Sequence, residues 1–368
     1  MQIIKNGMKI KGLIAAGGKG TRLRPLTFTS NKHLIPIANK PLLLYPLESL
    51  ISLGIKDIGV VVNESRQAVE SALGDGSKWG VKLTYINQPE PLGVAHVIKT
   101  ARYFLGNDPF VFILGDNIFT RGIKGPFEHF LKTKADALLV MVEHEENFRL
   151  GVPFFENGKL IKVVEKPKHP PNKFGVPGLY LFSSKVHRAF LGKERIKPSA
   201  RGEYEITDIY NYMLKYGYKV EVKKIEGKWL DPGKFDDSLE ANRLLLELNC
   251  KLDIKGKVDK QSKLSGNVTV GTHSQIFNSR LVGPISIGEH VRINNSHIGP
   301  YTSIGDGCEI TNTAIEYSII MEDADISDVP IRIEASMIGK DASITGTRSV
   351  NPAYRLTISD MSKVDLPR

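Results

Sequence analysis

The chain has 368 residues, 41% of them hydrophobic and 24% charged, with 34 glycines, a composition that excludes disorder, collagen and a disulfide-stapled miniature. Such a length exceeds what one hydrophobic core usually organises, so two domains are expected. Fifty Lys and Arg against 40 Asp and Glu leave a formal charge of +10, which suits nucleic acid, an anionic membrane surface or a phosphorylated small molecule.

Cys250 and Cys308 are the only cysteines, too few for a zinc motif or a disulfide framework, so a reducing, cytoplasmic setting is expected. The greasiest stretch, Leu42 to Leu47, is six residues long and interrupted by Tyr45 and Pro46. A membrane span needs about 20, so no membrane partner is expected.

In chain order, Lys11 to Ala16 reads as a buried first strand, Pro41 to Leu53 as a helix and Asp57 to Val62 as a second strand. Val81 to Ile86, Pro109 to Leu114 and Ala137 to Val142 supply further apolar runs. Short apolar runs alternating with amphipathic ones predict an α/β doubly wound, Rossmann-like domain, whose ligand crevice lies at the carboxyl ends of the strands. A helix from about Phe235 to Leu248 closes this domain, giving boundaries of 1–249 for the first domain and 250–263 for a polar, Lys-rich linker.

From residue 264 to 368 the pattern changes. Aliphatic residues recur at Leu264, Val270, Ile276 and Val282, at Ile287 and Ile293, at Ile298, Ile304 and Ile310, and at Ile338, Ile344 and Val350, often with glycine next. This hexapeptide repeat predicts a parallel β-helix with one inward aliphatic per flat face and four to five coils. The register slips after Val282 and after Ile293, where corners of altered length are expected. Residues 250–368 carry 13 Lys and Arg against 14 Asp and Glu, so the basic excess belongs wholly to residues 1–249, at 37 against 26.

The sharpest local feature is Leu13-Ile-Ala-Ala-Gly-Gly-Lys-Gly-Thr-Arg-Leu-Arg-Pro25. Glycines 17, 18 and 20 after a buried strand let backbone N–H groups approach an anion, and Lys19, Arg22 and Arg24 add charge, so a triphosphate is the natural guest. The dinucleotide fingerprint fails at Leu23, and the P-loop pattern fails because Gly20 follows Lys19.

With Pro25-Leu-Thr27, Lys32-His-Leu-Ile-Pro36 and Asn39-Lys-Pro41 added, the chain resembles the sugar-1-phosphate nucleotidyltransferases, and in particular their long form with a C-terminal left-handed β-helix. Further elements follow in the family's order: Gln88-Pro-Glu-Pro-Leu-Gly-Val-Ala95, Leu114-Gly-Asp116-Asn117, Val164-Glu-Lys-Pro167, Gly178-Leu-Tyr180, Ala200 to Asp208 and Trp229-Leu-Asp231-Pro-Gly233.

The resemblance implies Mg2+ held by Asp116 and Asp231, and catalytic charges at Arg22, Lys32 and Lys166. It implies nucleotide contacts at Ala16, Gly17, Gly18, Gly20, Thr21, Gln88 and Gly93. Sugar-phosphate contacts are implied at Asn117, Gly151, Glu165, Lys166, Tyr180 and Arg201. The implied reaction is transfer of a thymidylyl group from dTTP to glucose-1-phosphate, with UTP or another sugar phosphate as the alternative.

Taken singly, Asp116 reads as a turn former, Lys32 and Lys166 as solvated lysines and Gln88 as a loop amide. Leu150, Pro177 and Pro232 depart from the residues usual in short-form relatives, which bears on the sugar and leaves the phosphate chemistry intact. His273, His290 and His297 fall in the repeat region, where an acetyltransferase base is the lesser reading and an oligomerisation or regulatory module the greater. A homo-oligomer with no nucleic-acid partner is expected, and the first domain is expected to be catalytically complete without the repeats.

Overall fold

The structure is a computed structural model and describes residues 9–346 and 360–365. The chain divides into two compact units: Met1–Gly18 with Leu43–Leu230, and Lys19–Leu42 with Asp231–Arg368.

The first unit is built on an eight-stranded sheet. Four parallel strands form its foundation, in the spatial order Lys82–Asn87, Asp57–Val62, Lys11–Ala15, Phe110–Leu114. Leu179–Phe182 then pairs antiparallel with both Phe110–Leu114 and Ala137–Glu143. The apolar runs form strands because each alternates between two cores. Ile14, Val60, Ile113 and Val140 face one core with helices Leu44–Ser52 and Lys124–Thr133, while Leu13, Val61, Phe112 and Leu139 face another with helices Val94–Thr100 and Ile206–Lys215. Continuous burial on both faces is what a helix-covered parallel sheet demands.

This order reverses direction between the first and fourth strands, where Ala15 is the register partner of Leu114. In doubly wound sheets that switch point opens the crevice that receives ligands. Gly17 and Asp116 each lie two residues beyond those strand ends.

In the second unit the repeats form a left-handed parallel β-helix of three sheets with six, six and five strands. The inward residues Val270, Ile276, Leu281, Ile287, Ile293, Ile298, Ile304 and Ile310 make one continuous core. Their steps of six, six and five residues give a coil of 17, the separation of Asn278 from Asn295 and of Asn295 from Asn312.

Two expectations shift. Val282 is half-buried and Leu281 points inward in its place, so the short step falls one face earlier, between Ile276 and Leu281. The cause is the next residue: a Cβ on Gly283 would stand 2.0 Å from the Asn267 carbonyl, so Val282-Gly283 occupies the tight corner. The stretch 250–263 carries coil strands at Asp253–Ile254 and Lys257–Val258, with a third beginning at Lys263, so the β-helix starts within the expected linker. The end coil leaves Asp253, Ile254 and Lys257 exposed, which explains its polar composition. Val350 lies outside the described residues.

The helix Phe235–Asn249 and the segment Lys19–Leu42 pack within the second unit. Among the described residues no helix is long and apolar enough to cross a membrane.

Candidate active site

In the first unit the strand ends set the candidate residues in a row. The Ala16 amide donates to Val61 O at 2.7 Å, the Gln88 amide to Val62 O at 2.7 Å and the Gly115 amide to Ala15 O at 2.9 Å. Asn63 reaches back through its Nδ2 to Gly17 O at 2.5 Å and fixes the turn after the first strand.

Gln88 is buried, and its Nε2 meets His96 Nδ1 at 2.8 Å. Burial, reinforced by Lys99, holds the His96 imidazole below its ordinary range and favours the neutral ring, whose tautomer with an unprotonated Nδ1 accepts from the amide. This orients the amide with its Oε1 toward Gly17, 3.7 Å from where a Cβ on that glycine would stand. His96 is itself steadied by Tyr204, with ring centroids 5.8 Å apart. Gly93 adopts φ +100°, and a Cβ there would fall 2.6 Å from Tyr204 O, so only glycine lets the two loops close.

Asp116 follows the fourth strand, and Asn117 holds it: Asn117 Nδ2 donates to Asp116 Oδ1 at 2.8 Å. Asn117 Oδ1 accepts from the Gly178 amide at 3.0 Å and from Trp229 Nε1 at 2.6 Å. Asn117 is thus buried and engaged within the protein, positioning the carboxylate of Asp116. Tyr180 is 4% exposed, with its ring 5.2 Å from that of Phe112 in the core.

A second cluster gathers Gly151, Glu165, Lys166 and Arg201. Gly151 pairs with Glu165 across a two-stranded ribbon, and a Cβ on it would lie 2.6 Å from Thr207 Cγ2. Arg201 Nη2 stands 2.8 Å from Glu205 Oε1 and 3.5 Å from Glu165 Oε1, and Lys166 Nζ lies 4.0 Å from Glu165 Oε1. Thr207 donates to Glu165 Oε2 at 3.4 Å. The cluster has the makeup of a site for a polyhydroxyl phosphate: carboxylates to accept hydroxyl protons, cations for the anion.

Burial, with Glu205 adding to it, pushes the Glu165 carboxyl above its ordinary range against the pull of Lys166 and Arg201. The folded protein therefore holds this proton more tightly than the unfolded chain, and stability from it is lost as pH rises through that elevated range. Glu165→Gln is expected to raise Tm at pH 7 and to lose that advantage near pH 4, where both chains carry a neutral group. Calorimetry at the two pH values checks this; a lower Tm for the variant at pH 7 would mean that the pairing with Arg201 outweighs burial.

In the second unit, Gly20 takes φ +61° at the start of a short 3-10 turn, Thr21–Leu23, where a Cβ would lie 2.7 Å from Lys32 Cβ. Thr27 Oγ1 donates to Gly20 O at 2.8 Å. Lys32 is buried, while Thr21 and Arg22 are exposed. Arg22 and Asp231 converge on Gly233: a Cβ there would stand 2.9 Å from Arg22 Nη2 and 3.3 Å from Asp231 Oδ1. The residues expected to serve one reaction are therefore shared between the two units. Asn63 and His96 escaped the reading of the sequence, and Glu205 and Thr207 lay within its Ala200 to Asp208 element without being singled out. Glu205 had a signal, four residues after Arg201 in the same motif; Asn63, next to a strand end, had none.

Among the described residues no group of three or more His, Cys, Asp and Glu could hold a metal unaided. Asp116 and Asp231 are hard oxygen donors of the kind Mg2+ takes alongside substrate phosphates.

Comparison with known proteins gives the class. The family model for nucleotidyl transferases matches residues 11–247, and the chain belongs to this family of enzymes, whose members generally use a divalent metal. It is 40% identical over 358 residues to a glucose-1-phosphate thymidylyltransferase of Streptomyces griseus, spanning 97% of this chain and 99% of that protein. A crystal structure from Bacillus anthracis, provisionally described as a glucose-1-phosphate thymidylyltransferase in complex with a sucrose, is 38% identical with TM-score 0.59, covering 64% of this chain and 94% of that one. A UDP-glucose pyrophosphorylase complexed with UDP-glucose is 25% identical with TM-score 0.57, covering 65% of this chain and 99% of that one.

Proposed function

We propose that the chain is a glucose-1-phosphate thymidylyltransferase, converting dTTP and glucose-1-phosphate to dTDP-glucose and pyrophosphate. The observation that carries this reading is the full-length likeness to the Streptomyces griseus enzyme. The gathering of Gly17, Gln88 and Asp116 at the sheet's switch point agrees with it.

A phosphate oxygen of glucose-1-phosphate attacks the α-phosphorus, a new P–O bond forms, and the bond to the bridging oxygen breaks with its electron pair leaving on pyrophosphate. The nucleophile is already an anion, so no general base and no covalent enzyme intermediate is required. The protein's task is to hold two polyanions in line and neutralise them.

Gly17, Gly18, Gly20 and Thr21 offer main-chain groups to the triphosphate, with Lys32 beside them, and Ala16, its amide bonded to Val61 O, sets the start of this nucleotide-binding loop. Arg22 takes the charge that develops on the leaving pyrophosphate. Gln88 Oε1, aimed by His96, meets the imide N–H of the pyrimidine, and Gly93 keeps that loop closed. Gly151 and Glu165 receive sugar hydroxyls, and Lys166 and Arg201 hold the sugar phosphate. In this reading Asp116 and Asp231 would hold Mg2+, and the ion when bound would supply charge neutralisation at the phosphates. Two free cysteines accord with a cytoplasmic enzyme, and a homo-oligomer is part of the proposal.

One observation favours a second reading. The same fold binds UDP-glucose in the pyrophosphorylase, and an amide such as Gln88 serves uracil and thymine alike, the 5-methyl group being worth about 1–3 kcal/mol in a pocket. Pyrophosphate release measured with four nucleoside triphosphates against glucose-, N-acetylglucosamine- and mannose-1-phosphate separates the readings. The expected result is fastest turnover with dTTP and glucose-1-phosphate; equal rates with UTP would discard the narrower function, and no turnover with any pair would discard the enzyme.

A further inference from the structure

We propose that the β-helix is the seat of the phosphate-handling loop, with Asn39 and Asn242 as its positioning residues. This rests on reading residues 17–32 and Asp231 as that machinery.

The segment Lys19–Leu42 has little order of its own: three short 3-10 turns and a hairpin of two-residue strands, Pro36–Ile37 and Lys40–Pro41. Such a segment cannot hold a shape by internal hydrogen bonds alone, so its geometry is set by what it packs on. Leu23 and Ile35 bury themselves with Met321, and Leu26 and Met337 pack against them. Leu26 Cδ2 lies 3.3 Å from where a Cβ on Gly339 would stand, so that glycine makes room for it.

The hairpin tip is pinned by polar contacts. Ala38 and Asn39 both take positive φ, at 50° and 58°, which turns the chain tightly onto the coils. Asn39 Nδ2 donates to Ile304 O at 2.7 Å, to Ser286 O at 3.0 Å and to Ser286 Oγ at 3.2 Å. Its acceptors come from two successive coils, since Ser286 and Ser303 are register partners.

Asn242, fully buried on the helix Phe235–Asn249, joins the three parts. Its Oδ1 accepts from the Ala38 amide at 2.8 Å and from Ser303 Oγ at 2.9 Å, and its Nδ2 donates to Tyr301 O at 3.0 Å. Ser303 neighbours the inward Ile304, so by strand alternation it points away from the coil's core, yet it is fully buried. An outward serine with no exposure marks a face built to be covered. The helix that carries Asn242 begins four residues after Asp231, whose carboxylate converges with Arg22 on Gly233. Loop, second aspartate and coils are thus one mounted piece, and a misplacement of about 1 Å in such a piece costs on the order of 100-fold in rate.

Asn39→Gly tests this, because glycine keeps the positive φ without strain and removes the side chain that carries the amide. Ser303→Ala, which deletes one bond to Asn242, is the second variant. For both, kcat and each KM are measured by pyrophosphate release, and trypsin cleavage after Lys19, Arg22 and Lys32 is timed by mass spectrometry alongside Tm. In Asn39→Gly, kcat is expected to fall roughly ten-fold with KM for the sugar phosphate within about two-fold, while cleavage at those three sites accelerates roughly ten-fold. Ser303→Ala should move the same quantities in the same direction, and Tm should change little in either variant.

Unchanged kcat in both folded variants would overturn the proposal, and so would a fall in kcat without faster cleavage. If the unaltered protein turns over no substrate pair, the nucleotidyltransferase reading fails, and the cleavage rates alone then judge the seat.

Discussion

Asp116→Asn is expected to lower kcat by about 10³ or more while leaving Tm within a degree or two of the parent. The substitution keeps size and shape, and the acceptor at Oδ1 that Asn117 Nδ2 engages at 2.8 Å survives as an amide oxygen. Asn117 also keeps its bonds to Gly178 and Trp229, so the turn after the fourth strand stays as it is. What is lost is one negative charge at the carboxyl end of the strands, on the ligand proposed for Mg2+. Removing a single preorganised group that meets developing charge costs about 10² to 10³, and loss of a metal ligand adds to it. Pyrophosphate release at saturating substrate with calorimetry on the same sample decides the matter. Activity within ten-fold of the parent would show that Asp116 is not a metal ligand.

Arg22→Ala should lower kcat by about 10² to 10³ with the KM for the sugar phosphate little changed. The guanidinium lies alongside Gly233, which has no side chain to obstruct it, and beside Asp231. Arg22 is exposed, so its removal opens no cavity and Tm should hold. Its proposed work is on the leaving pyrophosphate, whose charge grows only in the transition state, so the loss belongs in kcat. Arg22→Lys should recover only part of the rate, because an ammonium cannot fork onto two phosphate oxygens. Equal activity of the Lys variant and the parent would argue for a charge without directional bonding.

The strands of the first unit were readable because parallel strands buried on both faces appear as unbroken apolar runs. Asp57–Val62 agrees with its sequence reading residue for residue. The coils were readable from their period, but choosing between adjacent Leu281 and Val282 required knowing that Gly283 sits where a side chain would strike Asn267.

The candidate residues were readable through combined motifs, whereas their supports were not. His96 aiming Gln88, or Asn117 holding Asp116, is visible only when side chains acquire partners. Least readable was the attachment of residues 19–42 to the β-helix. Asn39 meets Ile304 across 265 positions of sequence, and neither residue carries a local sign of the other. By packing, Arg22, Lys32 and Asp231 group with the coils, while the family match ends at residue 247, beside the expected boundary of 249.

The 17-residue period governs how this protein can change length over evolutionary time. Each coil touches only the coils above and below it, so a whole turn can be gained after Thr345 without rotating Ser286, Ser303, Met321 or Met337 out of line. Single-residue changes are absorbed at corners, as in the steps of 16 from Asn312 to Asp328 and 18 from Ser318 to Ser336. An insertion within a face before Ser286 would instead turn every outward position inward and unseat the hairpin. Growth is therefore quantised in turns and directed to one end, and variation in coil number among relatives should accumulate there.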